Sequence, residues 1–310
     1  MAANKLPARE PICILEMKEL NRVHRRMPAA DPLCEDERKA EVRYHLHRAA
    51  DILPTQFGAV RCINLELGSR YPMIGNLIGL YRRVRDALRR RTLDDEFVRW
   101  LGYANAGMLN PGNAWSMDYA IRHLPSGHPV VEIGSFAGLS ANVICHLLRK
   151  HGRRNALFTC DNWDVTGQQK AGHIDGSVLT FPEYADYVRA SFLRSVEFFS
   201  PGNRPYTIES SSAEFFAKWG HGESVTDIFG RTARLGGSIS FCYVDGIHSC
   251  DAVRREFESV DACLDTGGFI LFDDSSDSSP FGLSRLMREI RGHAGYELVH
   301  QNPNCLFRKR

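Results

Sequence analysis

The stretch Val130–Ser140, which reads VVEIGSFAGLS, decides the fold class of this chain. Its short apolar run is followed by Gly134, which permits a tight turn, and by Gly138, which lets a helix pack close to the backbone. This order predicts a strand, a glycine turn and a helix, with main-chain amides accessible to a ligand at the turn. A plain connection without a ligand fits the same pattern, so other parts of the chain have to support a site.

Outward from this stretch, strand and helix signals alternate. Beyond Pro111, short apolar runs alternate with amphipathic helices, which is typical of crossover units on a parallel sheet. The predicted strands are 129–133, 157–160, 205–209, 238–244 and 269–272, and the predicted helices between them are 140–150, 182–199 and 250–264. Two last runs, 296–300 and 305–308, flank a turn and predict an antiparallel hairpin. The predicted fold class is α/β, a doubly wound, mostly parallel, Rossmann-like sheet of seven strands with a terminal antiparallel β-hairpin.

The first part of the chain lacks this regular order. Residues 1–110 mix apolar pieces with basic residues and prolines, and helical patterns occur at 35–53 and from residue 74. The second pattern combines an apolar stripe with many arginines, which is most often a solvated helix surface. We therefore predict two domains, an N-terminal, mainly helical extension at 1–110 and an α/β domain at 111–310.

The composition excludes several classes of protein. Of 310 residues, 43% are hydrophobic and 25% are charged, which excludes a disordered or collagen-like chain. A formal net charge of +2 is too small for non-specific nucleic-acid binding. Nine cysteines without a C-x-x-C pair favour a reducing compartment, and no apolar run is long enough to cross a bilayer. We expect a cytoplasmic protein with a small-molecule substrate, no nucleic-acid partner and no membrane span, and homo-oligomer formation stays open.

A carboxylate at the end of the second predicted strand indicates a nucleoside ligand. Ligands of open parallel sheets bind beyond the carboxyl ends of the strands. Asp161 stands there, 23 residues past Gly138, where such folds bind a ribose hydroxyl pair. Phe136 occupies the second glycine position of a dinucleotide-binding G-x-G-x-x-G and would crowd a pyrophosphate. The expected ligand is a nucleoside without a diphosphate.

Three motifs together resemble class I S-adenosylmethionine-dependent methyltransferases. Glu132–Ser140 is similar to the first motif of the metal-dependent, catechol O-methyltransferase type. Asp161–Trp163 and Val244–Ser249 resemble the Asp-x-Trp and Asp-Gly-x-His signatures of bacterial enzymes that methylate sugars and other natural products. The resemblance extends from Leu109 to the end of the sequence. It implies S-adenosylmethionine as the cofactor and methylation of a small hydroxylated acceptor on oxygen.

The resemblance also implies which residues contact the cofactor. They are Glu132, Gly134, Ser135, Gly138, Ser140, Asp161, Trp163, Ser211 and Ser212. Glu132 and the glycine turn would hold the amino-acid portion, and the two later serines would hydrogen-bond the adenine. Two assignments have a structural alternative, because Trp163 can equally be a core residue and a serine at a helix start more often caps the helix.

Three acids follow the fourth and fifth predicted strands. Asp245 ends one of these strands, and Asp273 and Asp274 end the other. Adjacent strands lie about 4.8 Å apart, so these carboxylates could share one hard cation, for which Mg²⁺ is the natural candidate. The resemblance implies the same metal ligands, with Asp274 where catechol-type enzymes have an asparagine. The alternative is a polar loop that caps a helix from Pro280.

His248 lies three residues after Asp245, where the catechol-type enzymes have a lysine base. Its imidazole could accept a proton from a metal-acidified hydroxyl near neutral pH, or it could only anchor its own loop. His248 and Asp245 are therefore the predicted catalytic residues of a Mg²⁺-assisted O-methyltransferase. The alternatives are an NAD-dependent oxidoreductase, another metal-dependent reaction on the same fold, and a non-catalytic module.

Overall fold

The computed structural model describes residues 91–164, 172–174, 177–246, 249–277, 279 and 281–310. All of these residues belong to Arg85–Arg310, the second of two compact units into which the chain divides. Residues 1–90 of the predicted N-terminal extension lie outside the described residues, and with them the helices predicted at 35–53 and from residue 74 up to residue 90. The domain boundary predicted at residue 110 stays a prediction.

A seven-stranded sheet forms the centre of the described unit. The strands of this unit, in chain order, are β1 (Val130–Ile133), β2 (Leu157–Asp161), β3 (Tyr206–Glu209), β4 (Ser224–Thr226), β5 (Thr232–Arg234), β6 (Ile239–Val244), β7 (Leu264–Phe272), β8 (Tyr296–Gln301) and β9 (Cys305–Lys309). The sheet has the order β3-β2-β1-β6-β7-β9-β8, and β4 and β5 form a separate antiparallel pair. β9 is antiparallel to both of its neighbours, and the other pairs are parallel. The predicted doubly wound sheet with a terminal hairpin is confirmed.

Helices cover both faces of this sheet. They are α1 (Glu96–Ala104), α2 (Pro111–Arg122), α3 (Leu139–Lys150), α4 (Phe181–Phe199), α5 (Ser212–His221), α6 (Cys250–Asp261) and α7 (Ser284–Gly292). α4 begins at Phe181, one residue before the predicted start, because Thr180 and Glu183 form a capping box and Pro182 occupies the first turn. Within the described ranges, none of the helices is long and apolar enough to cross a membrane.

Two apolar cores lie on opposite faces of the sheet, because side chains alternate along each strand. Val130, Phe241 and Leu271 belong to the first core, which α1 to α4 cover. Their sequence neighbours on the same strands point to the second core, which α5 to α7 cover. Leu101 on α1 is fully buried in the first core, so this packed body includes residues before Pro111.

Candidate functional site

Four acidic residues gather at the carboxyl edge of the sheet. Glu132 lies in β1, Asp161 ends β2, and Asp245 and Asp273 directly follow β6 and β7. Alternation along each strand places all four on the face of the first core. Burial is the main reason that the pKa values of Glu132 and Asp245 are raised; Asp161 adds to the rise at Glu132, and Asp273 and Glu132 add to the rise at Asp245. Each acid therefore lies within electrostatic reach of at least one other. The structure thus brings together acids that the sequence places at separate strand ends.

Glu132 is fully buried, and neither carboxylate oxygen has a hydrogen-bond partner. Burial raises its pKa to about 8, and the nearby Ser140 and Ser135 hydroxyls offset part of this rise without reaching hydrogen-bond geometry. Ser135 Oγ is also buried without a partner of its own. A buried acid without donors costs free energy that a positively charged donor can recover. The cofactor contacts predicted for Glu132 and Ser135 stay predictions, which these two orphaned groups permit.

The two glycines of the turn each make room for another part of the chain. Gly134 has φ +81°, and a Cβ there would lie 2.0 Å from the Asp245 carbonyl oxygen. Gly138 has φ +89°, and its Cβ would lie 2.8 Å from Ser195 Oγ on α4. The predicted tight turn and close helix packing are therefore confirmed, whereas cofactor contacts at these glycines stay predictions. The turn after β1 and the loop after β6 consequently form one tightly packed layer.

Asp161 fixes the glycine turn through main-chain hydrogen bonds. Its Oδ2 accepts the amides of Ser135 at 2.8 Å and Phe136 at 2.9 Å, and its Oδ1 accepts the amide of Trp163 at 2.7 Å. A carboxylate has about four acceptor positions, so one position on Oδ1 remains for a hydroxyl. The ribose-binding role of Asp161 stays a prediction that this geometry permits.

Backbone strain marks three of the strand ends. Phe136, Trp163 and Asp274 have φ values of 43°, 47° and 48°, and they are the non-glycine residues with positive φ in the described ranges. They follow β1, β2 and β7. A left-handed conformation costs a side-chain-bearing residue about 1–2 kcal/mol, and such strain is concentrated at functional sites. The strained positions therefore agree with a site along this edge.

Trp163 is a buried residue of the first core. Its Nε1 donates to the Phe136 carbonyl at 2.9 Å, its ring contacts Phe192 with centroids 5.4 Å apart, and the Arg189 guanidinium lies 5.6 Å from the ring centroid. The structure thus places Trp163 in the structural role that the sequence left open. Its contact with adenine stays a prediction.

The two serines after β3 both have intramolecular partners. Ser211 caps α5 in a capping box with Glu214. Ser212 Oγ donates to Glu256 Oε1 at 2.8 Å. Glu256 is buried on α6, burial raises its pKa to about 7, and its Oε2 has no partner. Sequence reasoning missed this acid, although it shares a helical face with the apolar Val253. Adenine contacts of the serines stay predictions.

The acid pair Asp245 and Asp273 receives several side-chain donors. Tyr243 Oη donates to Asp245 Oδ2 at 3.0 Å, and the amides of Asn113 and Asn304 donate to Asp273 Oδ1. These three donors were not predicted from the sequence, and only Tyr243 has a local signal, since it lies two positions before Asp245 on the same face of the strand. Within the described ranges, no group of three or more His, Cys, Asp or Glu residues is arranged to hold a metal ion.

The predicted base His248 lies outside the described residues, together with Ile247. The preceding Gly246 is described, and a Cβ there would lie 2.7 Å from Glu256 Oε1. The buried acid of α6 therefore packs closely against Gly246. The catalytic role of His248 stays a prediction.

One protein-family model and several solved structures are similar to this chain. Residues 131–275 match a family model described as a methyltransferase domain. No curated protein matches the chain. Similar solved structures include the O-methyltransferase NovP (13% identity, 64% of this chain and 79% of that chain, TM-score 0.42), an SAH-bound methyltransferase from Podospora anserina (14%, 82% and 100%, 0.45) and an SAH-bound O-methyltransferase from Bacillus cereus (13%, 76% and 97%, 0.42). These TM-scores lie below 0.5, so the family model carries the assignment.

Proposed function

We propose that this chain, whose residues 131–275 match a methyltransferase-domain family model, is a class I S-adenosylmethionine-dependent methyltransferase. In this proposal it methylates an oxygen of a small hydroxylated acceptor with the help of Mg²⁺. A sugar or another natural product is the proposed acceptor. The observation that carries this proposal is the fully buried, unpaired carboxyl of Glu132 at the end of β1. An NAD-dependent oxidoreductase is disfavoured by the family match and by Phe136 at the position of a pyrophosphate-binding glycine.

The cofactor fits the donors and acceptors of the glycine turn. Glu132 would bind the ammonium group of the amino-acid portion, since a cationic donor satisfies a buried carboxylate that has no partner. Asp161 would accept a ribose hydroxyl on Oδ1 while its other bonds keep the turn in place. This division of roles explains why the two acids differ in their hydrogen bonding although both lie on one edge of the sheet.

Mg²⁺ fits the acid pair at β6 and β7. The pKa of Asp245 is raised by burial and by the neighbouring Asp273, because two carboxylates so close together repel each other. No group of three acids in the described ranges is arranged to hold a metal ion, but Mg²⁺ commonly binds through one or two carboxylates and keeps several waters, so the pair Asp245 and Asp273 is a suitable donor set. Asp274 follows Asp273 in the sequence and is the third proposed ligand. The cation would relieve the repulsion. Asp245, Asp273 and Asp274 are the proposed ligands.

The protein's own contribution to methyl transfer is mainly positioning. The bound cofactor supplies an activated methyl group, and the bound cation supplies a Lewis acid at the acceptor hydroxyl. Glu132 and Asp161 would fix the cofactor, and Asp245 and Asp273 would hold the cation. The close contact between Gly134 and the Asp245 carbonyl would fix the distance between the cofactor site and the cation site. His248 would accept the hydroxyl proton, a role that contributes about 10²–10⁴-fold in general-base catalysis.

We further propose a cytoplasmic location. The six cysteines among the described residues are all free, and four of them are buried. Buried thiols that form no disulfide are usual in a reducing compartment. Recovery of the protein in a cytosolic fraction with its cysteines reduced is the expected result.

The proposed function is tested by calorimetric titration with S-adenosylhomocysteine and by methyl-transfer assays over a panel of sugars and other hydroxylated metabolites. We expect cofactor binding without metal, and transfer to oxygen that EDTA abolishes and Mg²⁺ restores. Asp245→Asn should lower the rate by at least about 100-fold, because it removes a ligand of the cation. Asp251→Asn, an exposed acid on α6, is the matched control and should retain the wild-type rate.

Three results would contradict parts of this proposal. Absence of S-adenosylhomocysteine binding would refute the assigned cofactor site. Full activity in EDTA would refute the role of Mg²⁺. A product methylated only on nitrogen, identified by mass spectrometry, would refute the acceptor class.

A further inference from the structure

Two buried amide side chains hold one oxygen of Asp273. Asn113, in the first turn of α2, donates from Nδ2 to Asp273 Oδ1 at 2.6 Å. Asn304, in the turn between β8 and β9, donates from Nδ2 to the same oxygen at 2.5 Å. Asn113 is fully buried and Asn304 is 3% exposed. Two elements that are distant in the sequence thus converge on a single carboxylate oxygen.

The partners of these amides fix the direction of the hydrogen bonds. Asn304 Oδ1 accepts the main-chain N–H of Ser276 at 3.1 Å, which leaves its NH₂ group for Asp273. Asn113 Oδ1 accepts Asn304 Nδ2 at 3.1 Å, so its own NH₂ group also faces Asp273. Both residues therefore act as donors to the acid. They orient the carboxylate without neutralising its charge.

Tyr243 extends the same arrangement to Asp245. Its hydroxyl accepts Asn113 Nδ2 at 3.3 Å and donates to Asp245 Oδ2 at 3.0 Å. One amide thus contacts Asp273 directly and Asp245 through a tyrosine. Every donor in this set points towards the acid pair, and we call Asn113, Asn304 and Tyr243 the donor set.

We propose that the donor set positions Asp245 and Asp273 for a divalent cation and determines how tightly that cation binds. The inference rests on the proposed function, because it assumes that the acid pair holds the metal. Oδ1 of Asp273 already accepts two amides, which leaves Oδ2 for the cation. Hydrogen bonds to the ligands of a metal site lock their orientation, and removing one typically weakens metal affinity by about 10–100-fold.

A buried amide at the same turn provides a matched control. Asn302 is 4% exposed and lies two positions from Asn304. Its Nδ2 donates to the carbonyls of Arg91 and Gly112, and its Oδ1 accepts the Arg91 amide. Asn302 therefore joins the same two regions of the chain as Asn304 but has no hydrogen bond to the acid pair. Asn302→Ala disturbs the turn and leaves the donor set intact.

The test measures binding of Mn²⁺ and Mg²⁺ by calorimetry on the full chain saturated with S-adenosylhomocysteine. Asn304→Ala and Asn113→Ala should each weaken metal binding by about 10–100-fold, and Tyr243→Phe, which keeps the ring, should weaken it by several-fold. Affinity for S-adenosylhomocysteine without metal should change less than about twofold in all three variants, because the hydrogen bonds of the donor set do not involve Glu132 or Asp161. Tyr243 is the strand partner of Glu132, and the phenylalanine variant keeps the ring beside it. Asn302→Ala should retain the wild-type metal affinity.

The outcomes separate the inference from the proposed function. If the wild-type protein binds neither cation, the metal assignment in the proposed function is wrong and the inference falls with it. If the wild-type protein binds Mn²⁺ and all three variants bind it equally well, the donor set has no role and only the inference is wrong. If Asn302→Ala weakens metal binding as much as Asn304→Ala, the effect comes from the turn as a whole, which also overturns the inference. Tyr243→Phe keeps the test decisive if an asparagine variant fails to fold.

Discussion

Glu132→Gln preserves the shape of a fully buried side chain and removes its ionisation. Burial raises the pKa of Glu132 from 4.5 to about 8, so the folded chain favours the neutral acid. Protonation of Glu132 therefore contributes to the free energy of unfolding. The contribution is fully present below pH 4.5 and is lost as the pH rises through about 8. Because each pH unit in this window corresponds to about 1.4 kcal/mol, the loss reaches up to about 5 kcal/mol.

Urea unfolding without cofactor, at pH 6, 7, 8 and 9, measures this loss. The glutamine stays neutral, so the difference in unfolding free energy between Glu132→Gln and wild type should change by about 2–3 kcal/mol in favour of the variant between pH 6 and pH 8. Glu258→Gln removes an exposed acid of α6 and should leave the pH dependence unchanged. Parallel pH curves for wild type and Glu132→Gln would refute an acid held neutral by burial.

Cofactor binding should show the opposite trend. An ammonium group pairs with the ionised acid, so the affinity of the wild-type protein for S-adenosylhomocysteine should rise about tenfold per pH unit up to about pH 8. Glu132→Gln should bind more weakly, with little pH dependence over this range. Equal affinity of both proteins at pH 8 would show that the ammonium group binds elsewhere.

The turn after β1 allows two further predictions. Gly134→Ala should lower the free energy of unfolding by at least about 2 kcal/mol, because its Cβ would overlap the Asp245 carbonyl and the residue has a positive φ. Gly127→Ala is the control, since the space around Gly127 is open, and it should change the free energy of unfolding by less than about 0.5 kcal/mol. Asp161→Asn should lower the free energy of unfolding by about 1–3 kcal/mol and weaken cofactor binding, because an NH₂ group would face a main-chain amide. Asp186→Asn, at an exposed position, is its control. Equal urea midpoints for these two variants would contradict the role of Asp161.

The central strands could be predicted because local sequence determines them. β1 and β3 each begin one residue later than predicted, at Val130 and Tyr206, since the preceding prolines have no N–H for the ladder. β7 begins at Leu264 rather than Phe269, because the glycine pair within it looks like a turn in the sequence. The β4–β5 hairpin was not predicted, since its three-residue strands are mostly solvent-exposed and lack an apolar run.

The candidate site could be predicted only in part, for a different physical reason. Glu132, Asp161, Asp245 and Asp273 follow from the rule that strand ends meet at one edge of a parallel sheet. The donors from α2 and from the last hairpin depend on tertiary packing. Asn113 and Asn304 lie 191 positions apart, and no local pattern connects them. Glu256 was missed because an acid on an amphipathic helix usually faces solvent.

The position of β9 in the sheet has a consequence for biosynthesis. This strand comes last in the described chain, yet it lies between β7 and β8 rather than at an edge. A nascent chain therefore cannot complete its sheet until residue 309 has left the ribosome, and Asn304 reaches Asp273 only at that late step. A polypeptide that lacks Cys305–Lys309 would have an open hydrophobic edge on β7 and no Asn304-to-β9 turn to orient Asp273, so it would be a substrate for protein quality control.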